Sequence, residues 1–259
     1  MKCLKIIVVG YGSIGKRHVQ NLLTMKNIEI IICTKQKIKN LSKNIHVCSS
    51  ITKCINEKPD MAIISNESSL HIKSAKIFAD AGIDLFIEKP LTNSLDETKK
   101  LVKIIKKKKL ITQVGCQLRF HKCIKKIKEI ITTTKLGKII SVKVECGSYL
   151  PDWHPYEDYK KSYAAKNELG GGVVWTNIHE IDYLYWFLGT VKEVFSLTGN
   201  YSDLKISADD YSTGIMKFNN GAIVEFHLDY FQKSEYRSCK IIGTKGTLIW
   251  NSNSNTIKL

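Results

Sequence analysis

The chain has 259 residues, of which 43% are hydrophobic and 25% are charged. These proportions are those of an average soluble globular protein, so they exclude wholesale disorder, and the length allows one large domain or two smaller ones. The sequence contains no apolar run long enough for a transmembrane helix. Its first apolar stretch ends at Gly10, too early for a secretory signal peptide, and we therefore expect a cytoplasmic protein.

The formal net charge of +16 suggests nucleic acid or an anionic membrane as a partner. The arginines, however, are only Arg17, Arg119 and Arg237, and almost all of the positive charge is lysine spread along the chain. Since arginine is the preferred residue for phosphate and base recognition, we expect no specific nucleic-acid partner and no membrane partner. The eight cysteines form no C-x-x-C pair and no metal-like cluster, so we expect reduced thiols in the core and no metal site.

The first half of the chain alternates short apolar runs with amphipathic stretches. Strands are predicted at 4–9, 28–33, 61–65, 83–87 and 110–116. Helices are predicted near 14–25, around Ala75, Phe78, Ala79 and Gly82, which share one face, and over 94–109, with Leu95, Thr98, Leu101, Val102 and Ile105 facing inward. This alternation predicts a doubly wound parallel sheet.

The pattern changes near residue 118. A predicted amphipathic helix at 122–131 is followed by alternating apolar and polar residues over 140–146 and 222–230, the latter after the turn dipeptide Asn220-Gly221. Such alternation leaves one sheet face in water, which is typical of antiparallel sheets. We therefore predict an α/β protein with a doubly wound domain over 1–118 and an α+β domain, built on a mainly antiparallel open sheet, over 119–259.

The first predicted strand leads directly into a G-x-G-x-x-G motif formed by Gly10, Gly12 and Gly15. Such glycines allow a tight turn, close approach of a pyrophosphate, and close packing of the following helix, whose free N–H groups hold the anion. The motif predicts a Rossmann domain that binds a dinucleotide. The alternative is a glycine turn needed only for packing.

The end of the second predicted strand distinguishes NAD from NADP. An acidic residue there binds the adenosine ribose in NAD-binding domains, but this strand continues into Thr34, Lys35 and Lys37 without a carboxylate. A hydroxyl and lysines suit a 2′-phosphate, so the sequence favours NADP over NAD. The alternative is that both lysines are ordinary surface residues.

Two later segments carry further polar candidates. Glu88-Lys89-Pro90 follows the strand at 83–87, where doubly wound sheets bind ligands, and the alternative is a plain turn. After Gly170-Gly171-Gly172, a helix is predicted over 173–188, with Trp175, His179, Asp182 and Trp186 on one face. A His–Asp pair in such a helix is either functional or a buried, satisfied histidine.

Together these motifs resemble the Gfo/Idh/MocA family of NAD(P)-dependent oxidoreductases over essentially the whole chain. The resemblance also rests on further segments, which are Ser65-Asn66, Leu70-His71, Val114-Gly115, Arg119-Phe120 and Gly243-Thr244-x-Gly246-Thr247-Leu248. It implies a sugar, polyol or sugar-derived substrate. It also implies that the open sheet of the second domain mediates homo-oligomer formation.

The resemblance implies a role for individual residues. Lys89 contacts the nicotinamide ribose and the substrate oxygen, and His179 acts as general acid and base. The expected cofactor-binding residues are Gly10, Gly12, Ser13, Ile14, Gly15, Thr34, Lys35, Ser65, Asn66, His71, Glu88, Lys89 and Gln117. The expected substrate-binding residues are Arg119, Trp153, His154, Thr176, Asn177 and His179.

Two departures from the family pattern keep a second hypothesis open. Trp175 stands where many members have an aspartate, and the chain ends soon after Leu248, so we expect an abbreviated or truncated second domain. The alternative function is therefore a non-catalytic dinucleotide-binding paralogue. The aromatic segment 149–156 suits a sugar ring, and the alternative is an ordinary aromatic loop. With the Thr176-Asn177-Ile178-His179 sequence, the segment is similar to members of surface-glycan pathways. A nucleotide sugar is the expected substrate class.

Overall fold

The computed structural model describes residues 3–39 and 42–259, so residues 1, 2, 40 and 41 of the predicted N-terminal domain lie outside the described residues. The chain divides into two compact units, Met1–Gly115 and Cys116–Leu259. Among the helices described, none has both the length and the apolar character that crossing a membrane requires.

The N-terminal unit is a doubly wound parallel sheet with the strand order β3-β2-β1-β4-β5-β6. Its strands are β1 (Leu4–Val9), β2 (Ile28–Cys33), β3 (Ile45–Cys48), β4 (Met61–Ile64), β5 (Asp84–Ile87) and β6 (Thr112–Val114). Its helices are α1 (Ser13–Leu23), α2 (Ile51–Asn56), α3 (His71–Asp80) and α4 (Thr98–Lys108). The strand order reverses between β1 and β4, and in such sheets ligands bind at the carboxyl ends of the strands beside this point.

The central strands are apolar because both of their faces are covered. The last four residues of β1 and β2 and the last three of β4 are buried, and most of them are isoleucine or valine. Helix α3 packs Ala75, Phe78 and Ala79 into this core. The prediction of a parallel α/β unit is confirmed.

The C-terminal unit is a seven-stranded sheet with the order β13-β12-β11-β7-β10-β9-β8, in which only β7 and β10 pair in parallel. The strands are β7 (Ile139–Gly147), β8 (Val191–Gly199), β9 (Tyr211–Phe218), β10 (Ile223–Asp229), β11 (Tyr236–Gly243), β12 (Gly246–Asn251) and β13 (Thr256–Lys258). The helices are α5 (Lys122–Thr132), α6 (Val173–Thr176) and α7 (Ile178–Leu188). Side chains of α5 and α7 join those of the sheet in one apolar core. The strand pairing confirms the prediction of a mainly antiparallel sheet.

The predicted helix over 94–109 begins too early. The observed α4 starts at Thr98, and Leu95, which was expected to face inward, is 80% exposed. The preceding segment is a set of polar turns, in which the Ser94 N–H donates to Thr92 Oγ1. Side-chain hydrogen bonds of this kind compete with the helical ones and delay the helix. Val102, also expected inward, is exposed as well, and Gly82 lies beyond the end of α3.

The predicted helix over 173–188 is interrupted. Asn177 separates α6 from α7 with backbone angles of φ −94° and ψ 29°. As a result Trp175 is 36% exposed, whereas His179 is only 4% exposed. The prediction that these two residues share one continuous helix face is wrong.

Candidate functional site

In the glycine-rich turn between β1 and α1, Gly10 and Gly15 are packed closely against other backbone atoms, whereas Gly12 has free space beside it. Gly10 has a φ of +90°, and a Cβ atom there would lie 2.7 Å from the backbone of Asn66. A Cβ on Gly15 would overlap the carbonyl oxygen of Gly10. In contrast, a Cβ on Gly12 would meet no atom within 4 Å. The turn therefore needs Gly10 and Gly15 for packing, while Gly12 leaves space where a pyrophosphate fits against the first turn of α1, which contains Ser13 and Ile14.

The two residues that follow β4, Ser65 and Asn66, pack against this turn. The buried Ser65 donates its Oγ hydrogen to the Val9 carbonyl at 2.9 Å, and Asn66 donates from Nδ2 to Ser74 Oγ at 3.1 Å. No described residue makes a hydrogen bond to Asn66 Oδ1. Ser65 thus holds β1 to β4, and Asn66 lies directly beside Gly10.

The end of β2 lies next to the turn. The Gly10 N–H donates to the Cys33 carbonyl at 3.0 Å, and the next residue, Thr34, is half-buried with its hydroxyl oxygen accepting from the Gln36 N–H at 3.2 Å. Lys35 is exposed. The segment that would face an adenosine ribose therefore presents a hydroxyl group and a lysine.

The Glu88-Lys89-Pro90 segment is held by side chains of two helices. Glu88 Oε1 accepts from His18 Nε2 of α1 at 2.7 Å, and Glu88 Oε2 accepts from the Lys89 N–H at 3.1 Å. The buried ring of His71 places Nδ1 2.7 Å from the Pro90 carbonyl oxygen. Its Nε2 lies 3.0 Å from the carbonyl oxygen of Asn66, and burial lowers the pKa of His71. A neutral imidazole carries one N–H and can donate to one of these two carbonyl oxygens, and the His71 ring lies between the glycine turn and the segment that contains Lys89.

Sequence reasoning missed His18. Its signal was its position on α1, one helical turn before the buried Leu22 and next to the buried Val19, which places a polar side chain at the border of a covered face. The partner that reveals its role, Glu88, lies 70 residues away in the chain.

In the C-terminal unit, Arg119 is occupied by a partner within its own unit. Its Nε and Nη2 donate to the two carboxylate oxygens of Asp182 at 2.8 and 2.7 Å, and Asp182 raises the pKa of Arg119. The guanidinium also lies over the ring of Trp186, 5.7 Å from its centroid. The structure places Arg119, an expected substrate ligand, on the exposed side of α7. Gln117, expected at the cofactor, is exposed in the short turn Gln117–Phe120, which also contains Arg119.

The first turn of α7 is anchored from the buried side as well. Glu180 is fully buried and forms an ion pair with Arg237 Nε at 2.9 Å, while Arg237 Nη2 lies 3.2 Å from Cys146 Sγ. Removing either partner of such a pair strongly destabilises the fold, because the remaining charge would be buried without a partner. Neighbouring His179 is therefore carried on a helix end that is fixed on two sides.

Tyr230 connects two of the expected substrate residues. This buried tyrosine donates its hydroxyl hydrogen to Thr176 Oγ1 at 2.6 Å, and its ring meets that of Trp153 edge to face, with centroids 5.3 Å apart. Burial raises the pKa of Tyr230, so the hydroxyl keeps its proton near neutral pH. Trp153 in turn donates from Nε1 to Ser148 Oγ at 2.9 Å.

Two other expected substrate residues lie close to this cluster in the sequence. His154 Nδ1 is 3.2 Å from the hydroxyl of the exposed Tyr156. Asn177 is buried, and its Nδ2 has no hydrogen-bond partner among the residues that the structure describes. An orphaned donor of this kind is costly unless a ligand or water satisfies it, so Asn177 is suited to bind a substrate oxygen.

Among the residues that the structure describes, no group of three or more His, Cys, Asp or Glu residues could hold a metal ion. The eight cysteines are free, and four of them are buried. The exposed Cys3 departs from the expectation that the cysteines are core residues.

A glycine turn that leads from a strand into a helix at the switch point of a parallel sheet is the arrangement of a dinucleotide-binding domain. Family models match both units of the chain. The model described as "Oxidoreductase family, NAD-binding Rossmann fold" matches residues 4–116, and the GFO/IDH/MocA C-terminal domain model matches residues 124–249. The chain belongs to the Gfo/Idh/MocA family and is an NAD-binding oxidoreductase.

Relatives of the chain include "Uncharacterized oxidoreductase YrbE" of Bacillus subtilis strain 168, which is 28% identical over 97% of this chain and 75% of its own length. The scyllo-inositol 2-dehydrogenase (NAD(+)) of the same organism is 26% identical over 95% of this chain and 73% of its own. Among solved structures, the WlbA dehydrogenase from Bordetella pertussis, in complex with NADH and UDP-GlcNAcA, has a TM-score of 0.90 at 23% identity. That match covers 100% of this chain and 77% of the WlbA chain.

The different surroundings of Gly12 and Gly15 generate a prediction. The Gly12→Ala change should leave the melting temperature within about 2 °C of the unaltered chain, because surface changes without contacts cost little. It should weaken NADH binding about tenfold or more, which corresponds to about 1.4 kcal/mol. Gly15→Ala should lower the melting temperature by several degrees, because the overlap with Gly10 costs about 1–3 kcal/mol. Calorimetric titration with NADH and thermal melts measure both effects, and undiminished NADH binding by Gly12→Ala would contradict the assignment.

Proposed function

We propose that the chain transfers a hydride between NAD(P) and a hydroxyl-bearing carbon of a nucleotide sugar. The observation that supports this best is a chain of contacts at one edge of the parallel sheet. Gly10 packs on Asn66, the Asn66 carbonyl contacts His71, and His71 contacts the Pro90 carbonyl next to Lys89. These contacts therefore link the glycine turn, which is suited to the pyrophosphate, to the main chain beside Lys89. We propose that Lys89 acts at the nicotinamide end.

Each proposed catalytic residue has a separate task. The bound nicotinamide supplies the hydride acceptor or donor. Lys89 contacts the nicotinamide ribose and the substrate oxygen with its ammonium group, which stabilises negative charge on that oxygen. His179 takes or returns the hydroxyl proton, since imidazole exchanges protons near neutral pH. With Trp175 in place of an aspartate, these two residues carry the proton transfer without a carboxylate at that position.

The proposed sugar site draws on the C-terminal unit. Trp153 offers an aromatic surface and Thr176 a hydroxyl group, and both are held by Tyr230. Asn177 offers a donor for a carbonyl or carboxylate oxygen. The WlbA structure contains a nucleotide sugar acid. UDP-GlcNAcA is therefore the first substrate to test, with inositols as the next candidates because of the inositol dehydrogenase relative.

The catalytic proposal predicts that Lys89→Ala and His179→Ala each lower kcat at least about 100-fold, the usual contribution of acid–base catalysis. Both variants should still bind NADH, because the glycine turn is unchanged. The formation of reduced nicotinamide is followed by absorbance with UDP-GlcNAcA, scyllo-inositol and myo-inositol. As a control, His46→Gln changes an exposed histidine of β3 and should keep full activity.

Three outcomes are informative. Turnover that disappears in both variants supports the proposal, and turnover that persists in either one contradicts the role of that residue. Saturable NADH binding by the unaltered chain without turnover of any sugar or nucleotide sugar favours the alternative of a non-catalytic paralogue.

We also propose that NADP is preferred over NAD, because Thr34 and Lys35 follow β2 without a carboxylate. An ion pair between Lys35 and a 2′-phosphate predicts that Lys35→Ala weakens NADPH binding about tenfold and leaves NADH binding unchanged. Lys26→Ala is a matched control, since this exposed lysine precedes the opposite end of the same strand. Fluorescence titrations with both dinucleotides give the four constants. Equal binding of NADPH and NADH by the unaltered chain would contradict this preference.

We further propose that the chain forms a homo-oligomer through the open face of its C-terminal sheet. Phe195, Leu197 and Ile215 line a groove of about 390 Å³ on this face and are 50–70% exposed. Lys143 and Glu225 line the same groove. Opposite charges in one patch allow two copies related by a twofold axis to pair lysine with glutamate.

This interface predicts that Phe195→Glu shifts the chain to a monomer, because it would bury a charge in an apolar contact. Light scattering after gel filtration measures the mass. Ile111→Glu is the control, since this isoleucine is equally exposed but lies in the N-terminal unit. An unaltered chain that is monomeric at high concentration would refute the proposal.

The free cysteines support a cytoplasmic site of action, where thiols stay reduced.

A further inference from the structure

His18 forms a contact that neither dinucleotide binding nor acid–base catalysis explains. It lies on α1 after the glycine turn, and its ring packs edge to face against Phe86 of β5 with centroids 5.3 Å apart. Its Nε2 lies 2.7 Å from Glu88 Oε1, a carboxylate oxygen that can only accept, so this nitrogen carries the hydrogen. The side chains are 17% and 10% exposed, which shields the pair from water.

Glu88 passes this contact on to Lys89. Its second oxygen, Oε2, accepts the Lys89 N–H at 3.1 Å, so one carboxylate joins the side chain of α1 to the main chain of the lysine. Gly115 leaves room for this carboxylate. A Cβ on Gly115 would lie 3.0–3.2 Å from all three carboxylate atoms of Glu88, closer than ordinary packing allows.

The other side of Lys89 is held in the same way. His71, at the start of α3, places Nδ1 2.7 Å from the carbonyl oxygen of Pro90. The Lys89 N–H is therefore bound by Glu88, which His18 of α1 contacts, and the carbonyl of the next residue, Pro90, is contacted by His71 of α3. Rigid anchoring of this kind is what a catalytic ammonium group requires, because small displacements of a reacting group cost large factors in rate.

We propose that His18 is a positioning residue, which orients the Glu88 carboxylate so that it fixes the main chain of Lys89. The proposal rests on the catalytic role of Lys89 proposed above. Helix α1 then has two roles. Its first turn binds the dinucleotide, and its His18 side chain helps to position Lys89. His18 itself touches neither the dinucleotide nor the substrate in this account.

The first test is hydrogen exchange, which needs no substrate. In His18→Ala the Lys89 amide loses its oriented acceptor, and a peptide covering residues 86–93 should exchange about tenfold faster. His18→Gln keeps an N–H donor in reach of Glu88 and should restore slow exchange. His46→Gln is the matched control, because this exposed histidine also faces a glutamate, Glu29, at 3.8 Å. Unchanged exchange in a folded His18→Ala variant would overturn the proposal.

The second test separates positioning from stability. His18→Ala should lower kcat with UDP-GlcNAcA about tenfold or more while the dissociation constant for NADH changes less than about threefold. His18→Gln should recover most of kcat. Gly115→Ala, which pushes the carboxylate from its other side, should reproduce the loss without altering α1.

Equal losses in kcat and NADH affinity, or no rescue by glutamine, would overturn the positioning role. If the unaltered chain turns over no substrate, the proposed function fails, while the exchange measurement still decides whether His18 orders Lys89.

Discussion

The close approach of the β1–α1 turn to the end of β4 is the constraint on which the N-terminal unit depends. Gly10 leaves room for the Asn66 backbone, Gly15 leaves room for the Gly10 carbonyl, and Ser65 ties β1 to β4 through the Val9 carbonyl. A side chain at either glycine would force the turn, the helix or the strand to move. The same packing brings the carboxyl ends of β1, β2 and β4 together, which makes the edge of the sheet a binding surface.

In the C-terminal unit, two ion pairs have a corresponding role for α7. Asp182 is bound on the exposed side by Arg119, and Glu180 is bound on the buried side by Arg237. They are separated by half a helical turn, so they resist rotation of the helix about its axis as well as its displacement. His179 lies next to Glu180 on this helix, and its side chain is buried.

Features that depend on neighbouring residues could be predicted from the sequence, and those that depend on distant ones could not. The strand, glycine turn and helix around Gly12 follow from residues within a few positions of one another. The missed strand β3 has largely exposed side chains, so it lacks the apolar run that marks β1 and β2. The early start assigned to α4 took Leu95 as a core residue, although the turn before it satisfies its own backbone through polar side chains.

The site shows the same division. Lys89 and His179 were predicted because they belong to local motifs, and their catalytic roles stay predictions. Glu88 and its partner His18 are 70 residues apart, and Asp182 and its partner Arg119 are 63 residues apart. Neither contact could therefore be predicted without the folded structure. Tyr230 was missed for a similar reason, since it reaches Thr176 across 54 residues.

We propose above all that the open position of the glycine turn, at Gly12, binds a nicotinamide dinucleotide. A fluorescence titration of the unaltered chain with NADH and with NADPH tests it most directly. We expect saturable enhancement or a shift of nicotinamide emission, with one site per chain. No change with either dinucleotide at millimolar concentration would contradict it.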